Sequence, residues 1–321
     1  MKRIWKMKVE DIKKISVIGA GTMGHGIAQV CASAGYNTWL NDVDADILDK
    51  ALDRLKANLA MLVENGVVTL RDAEAVPLRI KGTLSLEDAA GNADFVIEAA
   101  PEVMELKKQL FRKLDRICPE RAILASNTSS LSITELASAT ERPQKIVGMH
   151  WWNPPTLIPL VEVLRGGRTS DETTGVTRAL ILKLNKVPAV CNEAPGYLGV
   201  RLQAALVIEA MKILAEGVAS AEDIDAAVKN SFGLRLPIIG PLETVDLGGL
   251  DVFLRAYDYL YKVTGDKMYE TPEVLKRKVD EGKLGVKTEE GFYKYDENSK
   301  KELMNRRDNW LLKWLKEMSG K

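Results

Sequence analysis

Two histidines, His25 and His150, occur among the 321 residues, so a reaction that needs a proton acceptor working near neutral pH has two positions to draw on. His150 closes the apolar run IVGMH, and Glu162 stands twelve residues later inside a second apolar run, LVEVL. A carboxylate buried alone in such a run is costly, so Glu162 needs a charged or hydrogen-bonding partner, and His150 is the obvious one. A Glu–His pair orients an imidazole and stabilises the imidazolium that forms when it accepts a proton. The chemistry that suits it is removal of a proton from an alcohol whose carbon gives up a hydride. Spacing by itself also leaves a purely structural pair open.

A hydride needs an acceptor, and the run VIGAGTMGHGIAQ offers a place for one. Gly19-x-Gly21-x-x-Gly24, with Thr22 and Met23 inside it, follows an apolar β-branched stretch and opens a stretch of small residues that reads as a helix. The first glycine permits a tight turn, the second lets the backbone approach a pyrophosphate, and the third brings helix and strand together. The diphosphate then meets the free N–H groups and dipole of the helix N-terminus. Asp42 lies eighteen residues beyond Gly24, where an acid accepts hydrogen bonds from ribose hydroxyls and repels a 2′-phosphate. Asp44 adds to that repulsion, so the expected cofactor is NAD rather than NADP. His25 belongs to this turn, which leaves His150 to carry the proton.

The elements that must position these residues are legible in outline. Strands are expected at 15–18, 38–41, 80–82, 95–98, 122–125, 146–150, 160–164 and 189–191, with helical patterns between most of them. The clearest helix covers 46–65, with Leu48, Leu52, Leu55, Leu59 and Leu62 on one stripe. Strand alternating with helix implies an α/β fold with a Rossmann-type, doubly wound, mostly parallel sheet covered on both faces. The segments ASNTSSL, GMHWWNPP and LVEVLRGG put polar residues at strand ends, where such sheets bind ligands. After Pro195-Gly196 the patterns become helical at 197–216, 221–229, 250–264 and 271–281. We therefore place an NAD-binding domain at 1–194 and an all-α C-terminal domain at 195–321. A tail at 300–318 has the pattern of an amphipathic helix packed on its own domain or on a second subunit, with a membrane-surface helix as the alternative.

Composition narrows the class further. The 45 basic residues balance 45 acidic ones and 46% of residues are hydrophobic, which argues for a soluble globular protein and against nucleic-acid or anionic-membrane binding. Cys31, Cys118 and Cys191 are scattered, so neither a disulfide framework nor a thiolate metal site is expected. The first fifteen residues lack the apolar core of a secretory signal, and an intracellular, cytoplasmic setting is the expectation.

Further motifs follow in order along nearly the whole chain: DFVIEAAPE with Lys107 after it, ILASNTSSLSITELA, the H-x-x-N-P of His150 to Pro154, PLVEV, APGYL, GPLE at Gly240 to Glu243, GLD at Gly249 to Asp251, and GVKTEEGFYKY. With the glycine turn they make the sequence resemble the L-3-hydroxyacyl-CoA dehydrogenase family, especially its short prokaryotic 3-hydroxybutyryl-CoA dehydrogenases. The resemblance implies a Rossmann domain, a helical C-terminal domain that makes a homodimer, and an acyl-CoA substrate drawn from fatty-acid metabolism. It further implies that His150 is the catalytic base, Glu162 its partner, and Ser129 the residue that hydrogen-bonds the substrate's 3-oxygen. Glu102, Lys107, Asn127, Asn153 and Lys287 fall on or beside positions that contact NAD. The expected reaction is oxidation of a (3S)-3-hydroxyacyl-CoA to the 3-ketoacyl-CoA, or its reverse.

The sequence departs from the family in four places. Where the family usually has two apolar residues and then Asn-Arg after APG[FY], PGYLGVR puts Gly199 and Val200, and valine makes no side-chain hydrogen bond. Such a loss costs on the order of 1 to 3 kcal/mol, roughly 5- to 150-fold in rate. Trp151 and Trp152 stand where paired phenylalanines are common, either reshaping the acyl pocket or serving as core aromatics. At the register where a lysine often meets the CoA 3′-phosphate stands Ala57, with Arg54 and Lys56 beside it as substitutes. IGPLET and Asn153-Pro154-Pro155 are similar to the relatives that oxidise free hydroxy acids, the L-gulonate 3-dehydrogenase and lambda-crystallin group. A free 3-hydroxy acid of gulonate or carnitine type is therefore the alternative substrate. A protein kept only to bind NAD, with decayed catalysis, is a further alternative.

Overall fold

The structure, a computed structural model, describes residues 7–319 and divides into two compact units, Met1–Leu206 and Val207–Lys321. The first is built on eight strands: β1 (Lys14–Ile18), β2 (Asn37–Asn41), β3 (Ile80–Thr83), β4 (Phe95–Glu98), β5 (Ile123–Ser126), β6 (Ile146–Trp151), β7 (Leu160–Arg165) and β8 (Val187–Asn192). They form one sheet in the order β3-β2-β1-β4-β5-β6-β7-β8. Every neighbouring pair runs parallel except β6 and β7, which are antiparallel. The eight-residue connection 152–159 is too short to carry a crossover, so β7 folds back beside β6. The chain reverses direction across the sheet between β1 and β4, the crevice where open α/β sheets bind ligands.

Alternation along the central strands supplies both faces. Ile15, Val17, Phe95 and Ile97 enter one buried cluster with Ile27, Leu40 and Val147, while Val96 enters a second with Phe111, Leu114 and Leu136. Each such side chain contributes about 1.5–3 kcal/mol by leaving water. The long helix Ala45–Glu64 buries Leu48, Ala51, Leu55, Leu59 and Leu62, so Ala51 replaces Leu52 in the expected stripe. Asp44 caps it by accepting the N–H groups of Asp46 and Ile47.

The second unit is helical. Leu250–Thr264, Glu273–Asp280 and Glu297–Met318 match expected helices, while Phe232–Arg235 and Pro241–Gly248 are short and lacked a readable period. Its organising residue is Asp246, 1% exposed, whose carboxylate accepts the N–H groups of Phe292 and Tyr293 and the Tyr295 hydroxyl. A Cβ at Gly291 would lie 2.2 Å from Asp246 Oδ1, which is why this segment reads GFY. The last helix packs on its own unit: Leu303 is buried, the Trp310 indole donates to Leu234 O at 2.8 Å, and Arg306 pairs with Glu243. No described helix is long and apolar enough to cross a membrane.

Candidate active site

The glycine turn after β1 has the shape of a cofactor cradle. Gly19 has φ +101°, and a Cβ there would lie 2.6 Å from Ala99 O across the crevice between β1 and β4. A Cβ on Gly24 would lie 1.7 Å from Gly19 O, so helix and strand could not close with any other residue. At Gly21 nothing lies within 4 Å, which leaves open the side that a diphosphate needs. His25 Nδ1 lies 2.8 Å from Gly21 O and ties the helix Gly24–Ser33 back to the turn. Asp42, just past β2, accepts the N–H of Ala20 through one oxygen and those of Val43 and Asp44 through the other. Its half-buried carboxylate is thereby aimed, with lone pairs left for ribose hydroxyls. Glycine spacing, open face and fixed acid together fit a dinucleotide.

Beyond β4 and β5 lies a second cluster. Glu98, fully buried at the end of β4, accepts from Lys107 at 2.6 Å, from the Ser126 hydroxyl at 2.5 Å and from Ala100 N–H at 2.7 Å. Burial pushes the Glu98 carboxyl up, and the charge and hydrogen bond of Lys107 offset only part of that. Lys107, for which the family resemblance implies NAD contact, is 0% exposed, with its amine also 3.1 Å from Ala100 O and 3.5 Å from Glu102 Oε2. Glu102 Oε1 in turn accepts the Thr128 hydroxyl and the N–H groups of Ser129 and Ser130. The Ser129 side chain is exposed on this clamped loop. Asn127 Oδ1 accepts Trp151 N–H at 2.8 Å, lacing the loop to β6.

The antiparallel pairing sets His150 directly opposite Glu162. His150 Nδ1 lies 2.6 Å from Glu162 Oε2, with His150 5% and Glu162 0% exposed. The same Oε2 accepts the Trp152 indole N–H at 3.3 Å, and Oε1 accepts the N–H groups of Leu198 and Gly199 at 3.1 and 2.9 Å. Burial pushes the Glu162 carboxyl up, but the hydrogen bonds from His150, Gly199 and Trp152, with the attraction of the imidazole, outweigh it and hold it below the ordinary carboxylate range. This leaves Nδ1 as the donor to Glu162 and Nε2 as the nitrogen able to take a proton. The rings of Trp152 and Tyr197 flank the imidazole, each with its centroid at 5.7 Å. Tyr197, buried, donates its hydroxyl to Leu131 O at 2.7 Å and so links the Ser129 loop to the surroundings of His150.

The remaining expected residues are dispersed. Asn153 is exposed on the β6–β7 connection, which packs through Pro155 on the cofactor helix: a Cβ at Gly26 would meet Pro155 Cγ at 2.6 Å. Arg54 and Lys56 are exposed on the helix after β2, where Lys56 pairs with Asp53. Lys287 lies in the second unit, paired with Asp251 of the GLD motif. Trp151 is a core residue at 2% exposure, whereas Trp152 bonds to Glu162. Glu98 and Tyr197 are not assigned from sequence, and Trp152 reads there only as an acyl-pocket or core aromatic. Glu98 had a readable signal, a carboxylate closing the apolar FVI, whereas Trp152 and Tyr197 act through contacts no spacing reveals.

Residues 14–194 match the family model "3-hydroxyacyl-CoA dehydrogenase, NAD binding domain", and residues 196–295 match "3-hydroxyacyl-CoA dehydrogenase, C-terminal domain". A 3-hydroxybutyryl-CoA dehydrogenase of Clostridioides difficile is 42% identical over 88% of this chain and 99% of its own. The crystal structure of a 3-hydroxyacyl-CoA dehydrogenase from Archaeoglobus fulgidus superposes with a TM-score of 0.80 at 34% identity, covering 94% of this chain and 99% of that one. A 5-formyl-3-hydroxy-2-methylpyridine 4-carboxylate 5-dehydrogenase of Mesorhizobium japonicum is 33% identical over 94% of this chain and 96% of its own. With both family domains matched, the chain belongs to the 3-hydroxyacyl-CoA dehydrogenase family, whose members are NAD-dependent oxidoreductases.

Proposed function

We propose that the protein interconverts a (3S)-3-hydroxyacyl-CoA and its 3-ketoacyl-CoA, with His150 as general base, Glu162 as its partner and Ser129 on the substrate's 3-oxygen. The observation that carries this is the 2.6 Å contact between His150 Nδ1 and Glu162, which leaves Nε2 as the proton acceptor. NAD, when bound, supplies the hydride acceptor. Gly19, Gly21, Thr22, Met23 and Gly24 present backbone to its diphosphate, Asp42 takes the adenosine ribose, and Glu102, Asn127, Asn153 and Lys287 serve the remainder. Lys107 acts from behind, holding Glu102. In oxidation the Ser129 hydroxyl donates to the 3-oxygen, His150 Nε2 removes the hydroxyl proton and Glu162 stabilises the imidazolium, and C3 becomes a carbonyl as its hydrogen departs as a hydride. In reduction His150 returns the proton.

Arg54 and Lys56 would bind the CoA 3′-phosphate, residues 195–321 would form a homodimer, and the cytoplasm, where three unpaired cysteines stay reduced, would be its setting. A free 3-hydroxy acid is the second reading, favoured by Ala57 in place of a lysine and by the Mesorhizobium relative, whose name carries no CoA. The deciding experiment follows NADH oxidation with acetoacetyl-CoA, longer and aromatic 3-ketoacyl-CoAs, and free 3-keto acids. Turnover confined to thioesters, with the KM for acyl-CoA raised about 2- to 5-fold by Arg54→Ala/Lys56→Ala, supports the first reading. Turnover of the free acids alone overturns it.

A further inference from the structure

Glu162 Oε2 serves two donors, the His150 imidazole at 2.6 Å and the Trp152 indole N–H at 3.3 Å, while Oε1 is held by two backbone N–H groups at the start of the helix Gly199–Ala215. The carboxylate's four acceptor positions are therefore taken, and the indole draws on the same oxygen that the imidazolium would use. The indole's seat is equally specific. A Cβ at Gly199 would lie 2.4 Å from Trp152 Cζ2 and 3.2 Å from Cε2, so the six-membered ring occupies the space a side chain there would need. Tryptophan at 152 and glycine at 199 are thus one device: the ring needs the gap, and the gap sets the indole N–H on Glu162.

We infer that Trp152 is a positioning residue, seated by Gly199, that shares Glu162 Oε2 with His150 and so limits how strongly the carboxylate holds the imidazole in its protonated form. Without the indole donor, more of the charge on Oε2 faces Nδ1, and the imidazolium is favoured. The other titratable groups here are Cys191 on β8 and Tyr197 on the turn before the helix. Burial and Glu162 push the Cys191 thiol up, and burial pushes the Tyr197 hydroxyl up, with Glu102, Glu193 and Glu162 acting on it in the same direction. Both stay neutral while an imidazole titrates.

This inference rests on the proposed role of His150 for its effect on rate, but its first test does not. With two histidines in the chain, the His150 imidazole resonance is assigned by its loss in His150→Ala, and its NMR titration midpoint is read in the full-length protein. Trp152→Phe, which keeps a ring but loses the donor, is expected to move that midpoint up by about half a pH unit. Gly199→Ala, which displaces the indole, is expected to do the same, and Trp152→Phe/Gly199→Ala to add nothing further. On the panel substrate that turns over fastest, Trp152→Phe should lower kcat for oxidation by up to about threefold on the acidic limb, with little change in KM, and that limb should follow the NMR midpoint. An unmoved midpoint in a folded Trp152→Phe protein overturns the inference, whether or not Gly199→Ala folds. Undiminished turnover in His150→Ala instead overturns the proposed function, leaving the NMR result to stand by itself.

Discussion

Glu98 and Glu162 are both carboxylates in the same sheet, both 0% exposed, and they do opposite things. Glu98 is tied to Lys107, a cation that is itself fully buried, and burial keeps its carboxyl above the ordinary range. Glu162 is tied to His150, and the hydrogen bonds from His150, Gly199 and Trp152 hold its carboxyl down. A buried acid with a permanent cation is a fixed post, here bracing the loop of Ser129 through Lys107 and Glu102. A buried acid with an imidazole, well supplied with hydrogen bonds, is ready to accept a change of charge beside it. The partner and the donor count, more than depth, separate scaffold from chemistry.

The comparison breaks most visibly at His150. His150→Ala should lower kcat by roughly 10²- to 10⁴-fold and, because buried Glu162 loses one donor but keeps three, cost about 1–3 kcal/mol of stability, checked by steady-state rates alongside denaturation. If stability falls and the rate of the folded enzyme does not, the pair is structural. Lys107→Met is the converse. Removing the buried cation leaves Glu98 uncompensated and should cost about 3–5 kcal/mol in urea unfolding, with part recovered in Glu98→Gln/Lys107→Met. No recovery in the double variant would mean that Lys107 acts through something other than Glu98.

The smallest effect is also the sharpest in sign. Glu162, held down in the fold, contributes stability that is present above the ordinary carboxylate range and lost as pH falls through its folded-state value. Glu98, pushed up, runs the other way: the unfolded carboxylate ionises first, so its contribution falls as pH rises from the ordinary range through the raised folded-state value. Between acid and neutral pH the stability of the protein relative to Glu162→Gln should therefore rise, and relative to Glu98→Gln fall. Slopes of the same sign in pH-dependent urea titrations would erase the distinction drawn here.

Much of this was legible beforehand. The inner strands such as β4 and β6 follow from short apolar runs, because a strand buried on both faces needs little beyond local apolarity. The glycine turn is equally local: Gly19 at φ +101° and Gly24 against Gly19 O are demands that no other residue meets, so they show in the letters. What stayed hidden depends on partners distant in the chain. The APGYL segment was visible as a motif, yet it does not say that Tyr197 flanks His150, nor that the N–H groups of Leu198 and Gly199 grip Glu162. Lys107 follows DFVIEAAPE as a cofactor-contacting lysine would, and nothing in that spacing shows its amine turned inward onto Glu98.

By itself the sequence determined the class of fold, the dinucleotide cradle and its acid, and the pairing of one histidine with one glutamate, because each rests on backbone conformation or on the cost of burying a charge without a partner. The tertiary structure decided the rest. Folding β7 back against β6 put His150 opposite Glu162, and bringing the start of the helix Gly199–Ala215 beneath Trp152 filled that carboxylate's remaining acceptor positions. Hydrogen bonds have a reach of about 3 Å, so their partners become known when the chain is folded.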